Sequence, residues 1–519
     1  MIKNVVFQEG IHSFYGVLKI KVIYGTITIF GATVGKGFSE TIYSPFHQLA
    51  IPIQSDKRFC IQFTEIQENE LHPNEIPFYS PCPDGYTQII PFVFHSYGNK
   101  GAKYPNSLIK KINNILLSKK PANILLYGGK GIGKSTLSNF LVNMLKSFPA
   151  NPEMNENNNE EEEVIDTNKE ETKEDNNEDK PKYYHFLNDD DVNESSNDDD
   201  DDENSLYQRK VAFVDFDPGQ PEISLPTLVS FTKDCPFLFG SSEHHSQFAD
   251  ECYTISTVNI SQATSNFLFS TNLFGRIFGQ NKQNSAKDPQ FTVINSHGWV
   301  ENDGFRLQMA IIKSMNPDLV ICLYKSSNPP PKSFTNNQFN VKIKPIREVC
   351  HLEPMGLRNI RFERYFMMQK NKNSSPSFIY RPISSIIPIS FPIKRFRYAF
   401  PFETNILRCF SQIPRVLNCS LVTFCIDNSK YNENEEKKLL FSLVNPKSMK
   451  CCGIGFVRAI DVQSQTLYII TPENVETLQQ ANTIMYITSN IPNSFLRDSC
   501  RFYLPYNNLM IKPHLSSNK

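Results

Sequence analysis

Asn123 to Thr136 reads NILLYGGKGIGKST. An apolar run, Ile124 to Tyr127, enters Gly128-x-x-x-x-Gly133-Lys134-Ser135, and Leu137, Phe140, Leu141 and Leu145 then recur at helical spacing. A strand, a glycine-rich turn and a helix start, in that order, make a phosphate cradle. The glycines let consecutive backbone N–H groups face inward, Lys134 adds a point charge, and Ser135 offers a hydroxyl to magnesium. Gly128, Gly129, Lys130, Gly131, Ile132, Gly133, Lys134, Ser135 and Thr136 are the candidate residues for a nucleoside triphosphate.

Two carboxylates follow at the end of another apolar run, KVAFVDFDPGQPE, Lys210 to Glu222. Asp215 and Asp217 are two apart and share a face if the strand extends that far. At the carboxyl end of a strand beside a phosphate loop, one carboxylate holds magnesium through water and the other accepts a proton from an attacking hydroxyl. Asp217, next to the Pro218-Gly219 turn, is the favoured base, which leaves Asp215 for the metal. Trp299, the single tryptophan, follows Gly298 after a predicted strand and offers a flat ring to an unstacked base. Core or interface packing is the competing role for it, and a plain turn residue is the default for His297. Arg358, Arg361 and Arg364 recur every three residues on a predicted helix after the last parallel strand, where a lid over the triphosphate belongs. Lys394, Arg395 and Arg397, interleaved with Phe396 and Tyr398, form either a nucleic-acid surface or domain packing. No Asn-Lys-x-Asp motif occurs, which argues against a GTPase.

These groups need elements to place them. Residues 15–33 alternate apolar and polar positions around Gly25, and shorter β-prone runs follow at 50–53, 59–63 and 87–94, so residues 1–104 read as a β-rich N-terminal domain. Ser107–Leu117 is amphipathic and delivers the chain to the phosphate-loop strand. Predicted strands at 211–216, 291–295 and 318–324 alternate with helical patterns at 304–315 and 357–368, the signature of a parallel sheet with helices on its faces. The fold class is therefore α/β, with a P-loop nucleotide domain over 105–375. Beyond 376 the alternation stops, and Pro-broken β-prone runs give a third, mixed β-rich domain over 376–519.

The 519-residue chain carries a formal net charge of -1 that conceals an asymmetry. Residues 151–204 hold 23 acidic residues against 4 lysines, which leaves the rest of the chain at +18 and suited to a polyanionic partner. Residues 150–209 read as an acidic disordered insertion within the nucleotide domain. Its aromatic island Tyr183, Tyr184 and Phe186 is a candidate docking element, and the acidic tether a candidate competitor for nucleic acid. The twelve cysteines are scattered without a C-x-x-C, which fits a reducing compartment rather than a disulfide or zinc framework. Neither an apolar leader nor a membrane-length apolar run is present, so a soluble intracellular protein is expected.

Together the phosphate loop, DFDPGQPE at 215–222, NSHGW at 295–299 and the Arg-rich stretch ending in Tyr365-Phe366 resemble the polynucleotide 5′-hydroxyl kinase family. Gln220-Pro221-Glu222 and CCGIGFVRAIDVQSQTLYIITP at 451–472 are more similar to its nucleolar branch, which processes pre-ribosomal RNA, than to the branch of mRNA cleavage factor and tRNA splicing. The resemblance implies ATP and Mg2+, transfer of the γ-phosphate to the 5′-hydroxyl end of RNA, a nuclear and nucleolar location, and a Las-type endoribonuclease as partner. It gives Lys134, Asp217, Arg358 and Arg361 to catalysis, Ser135 and Asp215 to the metal, and Gln220, Ser296, Gly298 and Trp299 to the substrate end. Position 296 is Ser where the family usually has Thr, a change that keeps the hydroxyl.

Overall fold

Apolar runs buried on both faces build the centre of the molecule. The computed structural model describes residues 1–98, 104–118, 120–147, 184–187, 209–245, 249–279, 290–326, 329–330, 335–343, 352–370, 378–401, 412–429 and 441–495. Five strands lie parallel in the order Gln338–Lys342, Leu319–Tyr324, Ala122–Tyr127, Phe291–Asn295, Val211–Asp215. The near-continuous apolarity of the four inner strands follows from helices on both faces, while the edge strand Gln338–Lys342 is mostly polar. On one face Leu108, Ile112 and Leu116 of helix Asn106–Leu117 and Leu137, Leu141 and Leu145 of helix Lys134–Ser147 pack on Ile124, Leu126 and Phe213. On the other, Phe267 and Phe274 of helix Thr264–Phe274 and Leu307 and Ile311 of helix Asn302–Met315 cover Leu125, Val214 and Ile294.

The expected α/β class with β-rich flanks is what the chain adopts. Its N-terminal part is an antiparallel sheet built on the 15-residue strand Gly10–Tyr24, which pairs with Ser39–Ser44, Ile51–Ser55, Phe59–Thr64 and Val93–Tyr97. The C-terminal part does not form a separate sheet: Met449–Asp461 pairs with Glu251–Thr254, so the central sheet continues across the junction. Most of the acidic insertion lies outside the described residues. Tyr184–Leu187 is an exception to the expectation of disorder, because it pairs antiparallel with Ile2–Phe7 on the edge of the N-terminal sheet. The basic aromatic patch resolves toward packing. Phe396 and Tyr398 are buried in the C-terminal core, the Tyr398 hydroxyl donates to the Ile393 carbonyl at 2.8 Å, and Arg395 lies over Phe391 and Phe396 at 5.5 and 5.2 Å.

The N-terminal sheet docks on the helix that leaves the phosphate loop. Asn143 Nδ2 donates to the Phe30 carbonyl at 3.1 Å, and the Thr33 N–H donates to Ser147 Oγ at 2.9 Å. Gly31 makes that approach possible: its φ is +89°, and a Cβ there would meet the Phe140 carbonyl oxygen at 2.6 Å. Gly31→Ala therefore combines left-handed backbone strain with a steric clash and is expected to cost about 1–3 kcal/mol. A thermal scan checks this: the midpoint should fall, and an unchanged midpoint would contradict the docking geometry.

Candidate active site

Three adjacent parallel strands, Ala122–Tyr127, Phe291–Asn295 and Val211–Asp215, end at the same edge of the sheet. Their carboxyl ends deliver the phosphate loop, the Ser296–Trp299 turn and the Asp215–Glu222 segment to one place, as open parallel sheets do. Lys134 is 6% exposed, and its Nζ donates to the carbonyls of Gly128 and Gly129 at 2.9 and 3.0 Å. Burial pulls its pKa down, while Asp217 and Asp215 push it up. Lys130, Gly131, Gly133 and Thr136 are exposed, Gly129 and Ser135 half-buried, and Gly128 and Ile132 buried.

The two aspartates take different roles. Asp215 is fully buried: its Oδ1 accepts from the Asp217 N–H at 3.0 Å and from Asn295 Nδ2 at 3.1 Å, and its Oδ2 accepts from the Glu222 N–H. Burial pushes its pKa up to about 7 against the pull of the N–H donors. Asp215 thus organises the turn, with both oxygens engaged and no exposed surface for an ion. Asp217 is partly exposed, and its Oδ1 accepts from the N–H groups of Gly219 and Gln220 at 3.0 and 3.2 Å. None of the described hydrogen bonds uses its Oδ2. Gln220 is half-buried and meets the site through that backbone bond.

Ser296 differs from its expected role at the substrate. It is fully buried and donates to the Leu126 carbonyl at 2.5 Å, tying the turn to the phosphate-loop strand. Gly298 presses on the loop itself: a Cβ there would lie 2.9 Å from Lys130 Cα. Trp299 is half-buried at the rim of the core beside Gly304, where a Cβ would come within 2.3 Å of the ring. His297 proves more than a turn residue. Its Nδ1 accepts from the Trp299 N–H and from Gln308 Nε2, both at 3.2 Å, while burial and the Lys134 charge press its pKa down to about 3. The ring is therefore neutral, with its proton on Nε2.

The three arginines of helix Pro354–Met367 separate. Arg358 is half-buried, its pKa lowered by burial and by Arg361 and raised by Asp217, so it lies within the field of the site. Arg361 is 3% exposed and donates through Nη2 to Ser242 Oγ, while its Nε and Nη1 have no hydrogen-bond partner. Arg364 turns away to Glu75 of the N-terminal domain, with Nη1 and Oε2 2.5 Å apart. The ligand atoms of Glu75, Glu243 and His244 lie within 4.8 Å of one another, but the Arg364 guanidinium already supplies a cation there.

Sequence reasoning passed over Asn295 as a donor, the buried Glu222 carboxylate and the 241–245 turn. Glu222 Oε1 accepts from Asn139 Nδ2 of the phosphate-loop helix and faces His245 Nδ1, both at 2.8 Å. Only the Gln220-Pro221-Glu222 motif pointed there; the His245 contact joins residues 23 apart.

The fold and this edge define a P-loop nucleotide-binding domain. Residues 203–368 match the family model for the P-loop domain of the mRNA cleavage and polyadenylation factor CLP1, a match that begins beyond the phosphate loop and within the acidic insertion. Residues 5–75 match the N-terminal domain of polynucleotide 5′-hydroxyl-kinase NOL9, and residues 388–492 match the NOL9-like C-terminal domain. The chain is thus similar, in this order along its length, to the N-terminal domain of NOL9, the P-loop domain of CLP1 and the NOL9-like C-terminal domain. It is 24% identical over 292 residues to the polynucleotide 5′-hydroxyl-kinase nol-9 of Caenorhabditis briggsae, covering 52% of this chain and 50% of that one. To the NOL9 kinase of Arabidopsis thaliana it is 22% identical over 321 residues, 56% of this chain and 80% of that one. The chain thus spans about half the length of its Caenorhabditis relatives. A chain in the solved wild-type Clp1p–Pcf11p complex shares the fold, with a TM-score of 0.52 and 12% identity over 95% of this chain and 98% of that one.

The Asp215 network predicts a pH signature. Its folded-state pKa of about 7 lies above the unfolded value near 3.8, so its contribution to stability is complete below that unfolded value and is lost as pH rises through about 7. Asp215→Asn removes this titration. The variant's thermal midpoint, minus that of the wild type, should rise steadily between about pH 4 and pH 7; a flat difference would contradict the buried carboxylate.

Proposed function

We propose that this protein is an ATP-dependent polynucleotide 5′-hydroxyl kinase that transfers the γ-phosphate of ATP to the 5′-hydroxyl end of RNA. The observation that carries the reading is the meeting, at one sheet edge, of the phosphate loop, a partly exposed Asp217 with an uncommitted Oδ2, and Arg358 within the field of that carboxylate. The printed names of the curated relatives support the same activity.

In this reading the loop N–H groups and Lys134 hold the triphosphate, and Lys134 exchanges the carbonyls of Gly128 and Gly129 for phosphate oxygens. Ser135, half-buried at the start of its helix, fits a magnesium ligand by its chemistry, with Asp217 as the nearby carboxylate; the engaged Asp215 supports that turn from behind. Magnesium supplies neutralisation of phosphate charge. Asp217 Oδ2 accepts the proton of the incoming 5′-hydroxyl as that oxygen attacks phosphorus in line. Arg358 and Arg361 stabilise charge on the transferring group, and the open N–H groups of Arg361 suit that task. Trp299, with Gly298 before it, offers the surface for the terminal nucleotide, and Gln220, held at Asp217 through its backbone N–H, is a second group for the substrate end. Positioning and charge neutralisation supply most of the acceleration in such a transfer.

The nucleolar-branch motifs favour a role in pre-rRNA processing, with a Las-type endoribonuclease generating the 5′-hydroxyl end and a nuclear, nucleolar location. A catalytically idle ATP-binding scaffold is the main rival, and the intact Lys134, Ser135 and Asp217 weigh against it.

Labelled ATP offered with a 5′-hydroxyl RNA oligonucleotide tests the proposal. The wild type should label the 5′ end, and Lys134→Ala and Asp217→Asn should each lose about 10²-fold or more. No transfer by the wild type, or undiminished transfer by Lys134→Ala, would defeat it. A nucleoside that outcompetes the oligonucleotide would point instead to a small-molecule kinase.

A further inference from the structure

Helix Pro354–Met367 carries Arg358 and Arg361 at the site, yet the bonds that fix its far half come from other domains. Arg364 is 5% exposed; Glu75 is 2% exposed and meets it at 2.5 Å. The same guanidinium lies 5.8 Å from the centroid of Tyr43, whose ring stacks on His244 at 3.5 Å. His244 belongs to the turn whose Ser242 hydroxyl receives Arg361. One buried carboxylate of the N-terminal domain therefore holds the helix that carries Arg361, and the Arg364–Tyr43–His244 contacts join that helix to the turn on which Arg361 rests. Adjacent bonds brace the same helix: Glu363 accepts from Asn74 Nδ2 at 3.0 Å and from Ser494 Oγ at 2.6 Å.

We propose that Glu75 is a positioning residue for phosphoryl transfer, acting through Arg364 to set Arg361 and Arg358 over the phosphate loop. The inference rests on the kinase reading above. Stability alone does not call for an ion pair at this place. Burial pushes Glu75 up to about 7 against the pull of Arg364, while Glu75 raises the pKa of Arg364 against that residue's own burial. A buried pair of this kind can be replaced by apolar residues of similar volume with little or no loss of stability. What apolar residues do not reproduce is a directional bond that fixes the helix, and an error of about 1 Å in a group at the reacting centre costs on the order of 10²-fold in rate.

The test combines three proteins with the wild type: Glu75→Gln, Arg361→Ala and their double variant. A fourth, Glu75→Leu with Arg364→Met, removes the buried charges together and keeps the fold measurable by its thermal midpoint. For Glu75→Gln the proposal expects kcat on 5′-hydroxyl RNA to fall about 10²-fold, while the dissociation constant for ATP stays close to the wild-type value. It expects a clearly less than additive loss when Glu75→Gln is added to Arg361→Ala, since Arg361 is one of the two groups that Glu75 sets. It also expects the apolar pair to recover the thermal midpoint but not kcat. Near wild-type kcat in Glu75→Gln, additive losses in the double variant, or recovery of kcat together with the midpoint would each overturn it. A wild type without transfer activity would overturn the kinase reading and this inference with it; an active wild type beside unaffected Glu75 variants would overturn this inference alone.

Discussion

The site depends on a buried carboxylate that ties two strand ends together. Asp215 ends one strand, Asn295 ends its parallel neighbour, and the Asn295 amide reaches Asp215 Oδ1 while two backbone N–H groups complete the set. A fully buried carboxylate left unpaired would be costly. The sequence DFDPGQPE therefore folds back on its own first aspartate, and that fold-back turns Asp217 outward. From the next strand, Ser296 and Gly298 pin the following turn to the phosphate loop through the Leu126 carbonyl and the Lys130 backbone. Donor cradle and carboxylate are thus fixed relative to each other before any ligand arrives, and such preorganisation is the main resource of phosphoryl transfer.

The rest of the chain completes the site from outside the sheet. Helix Pro354–Met367 is a meeting point: Arg364 engages the N-terminal domain, Tyr365 donates to Glu473 at 2.7 Å and accepts the Ile454 N–H at 3.0 Å in the C-terminal domain, and Arg361 engages the 241–245 turn. The same turn returns through His245 to Glu222 and so to the phosphate-loop helix. The flanking β domains consequently fix helix Pro354–Met367 as well as covering the central sheet.

Local pattern made the phosphate loop, four of the five parallel strands and four helices legible, because each is written in consecutive residues; strand Gln338–Lys342, with only two apolar residues, and helix Thr264–Phe274 were not read. The limits of the helices moved by only a few residues; Ser107–Leu117, for example, becomes Asn106–Leu117. Contacts between distant residues were not legible. Nothing in the spacing of Arg358, Arg361 and Arg364 shows that the third would pair with a glutamate 289 residues away. The family resemblance placed Ser296 at the substrate end, and the neighbouring strand offers a carbonyl that engages its hydroxyl. Phe396 and Tyr398 looked like a base platform because of their basic neighbours, and burial decides otherwise. Tyr184–Leu187 was masked by the charge around it, although an exposed sheet edge needs only four residues to pair.

The central claim concerns where the two reactants sit. Its most direct measurement is an experimental structure with a non-hydrolysable ATP analogue, magnesium and a 5′-hydroxyl oligonucleotide. The account predicts Lys134 Nζ on phosphate oxygens instead of the carbonyls of Gly128 and Gly129, and the 5′-hydroxyl within hydrogen-bond reach of Asp217 Oδ2. A 5′ end bound away from Asp217, or a nucleotide bound outside the Gly128–Thr136 loop, would contradict it.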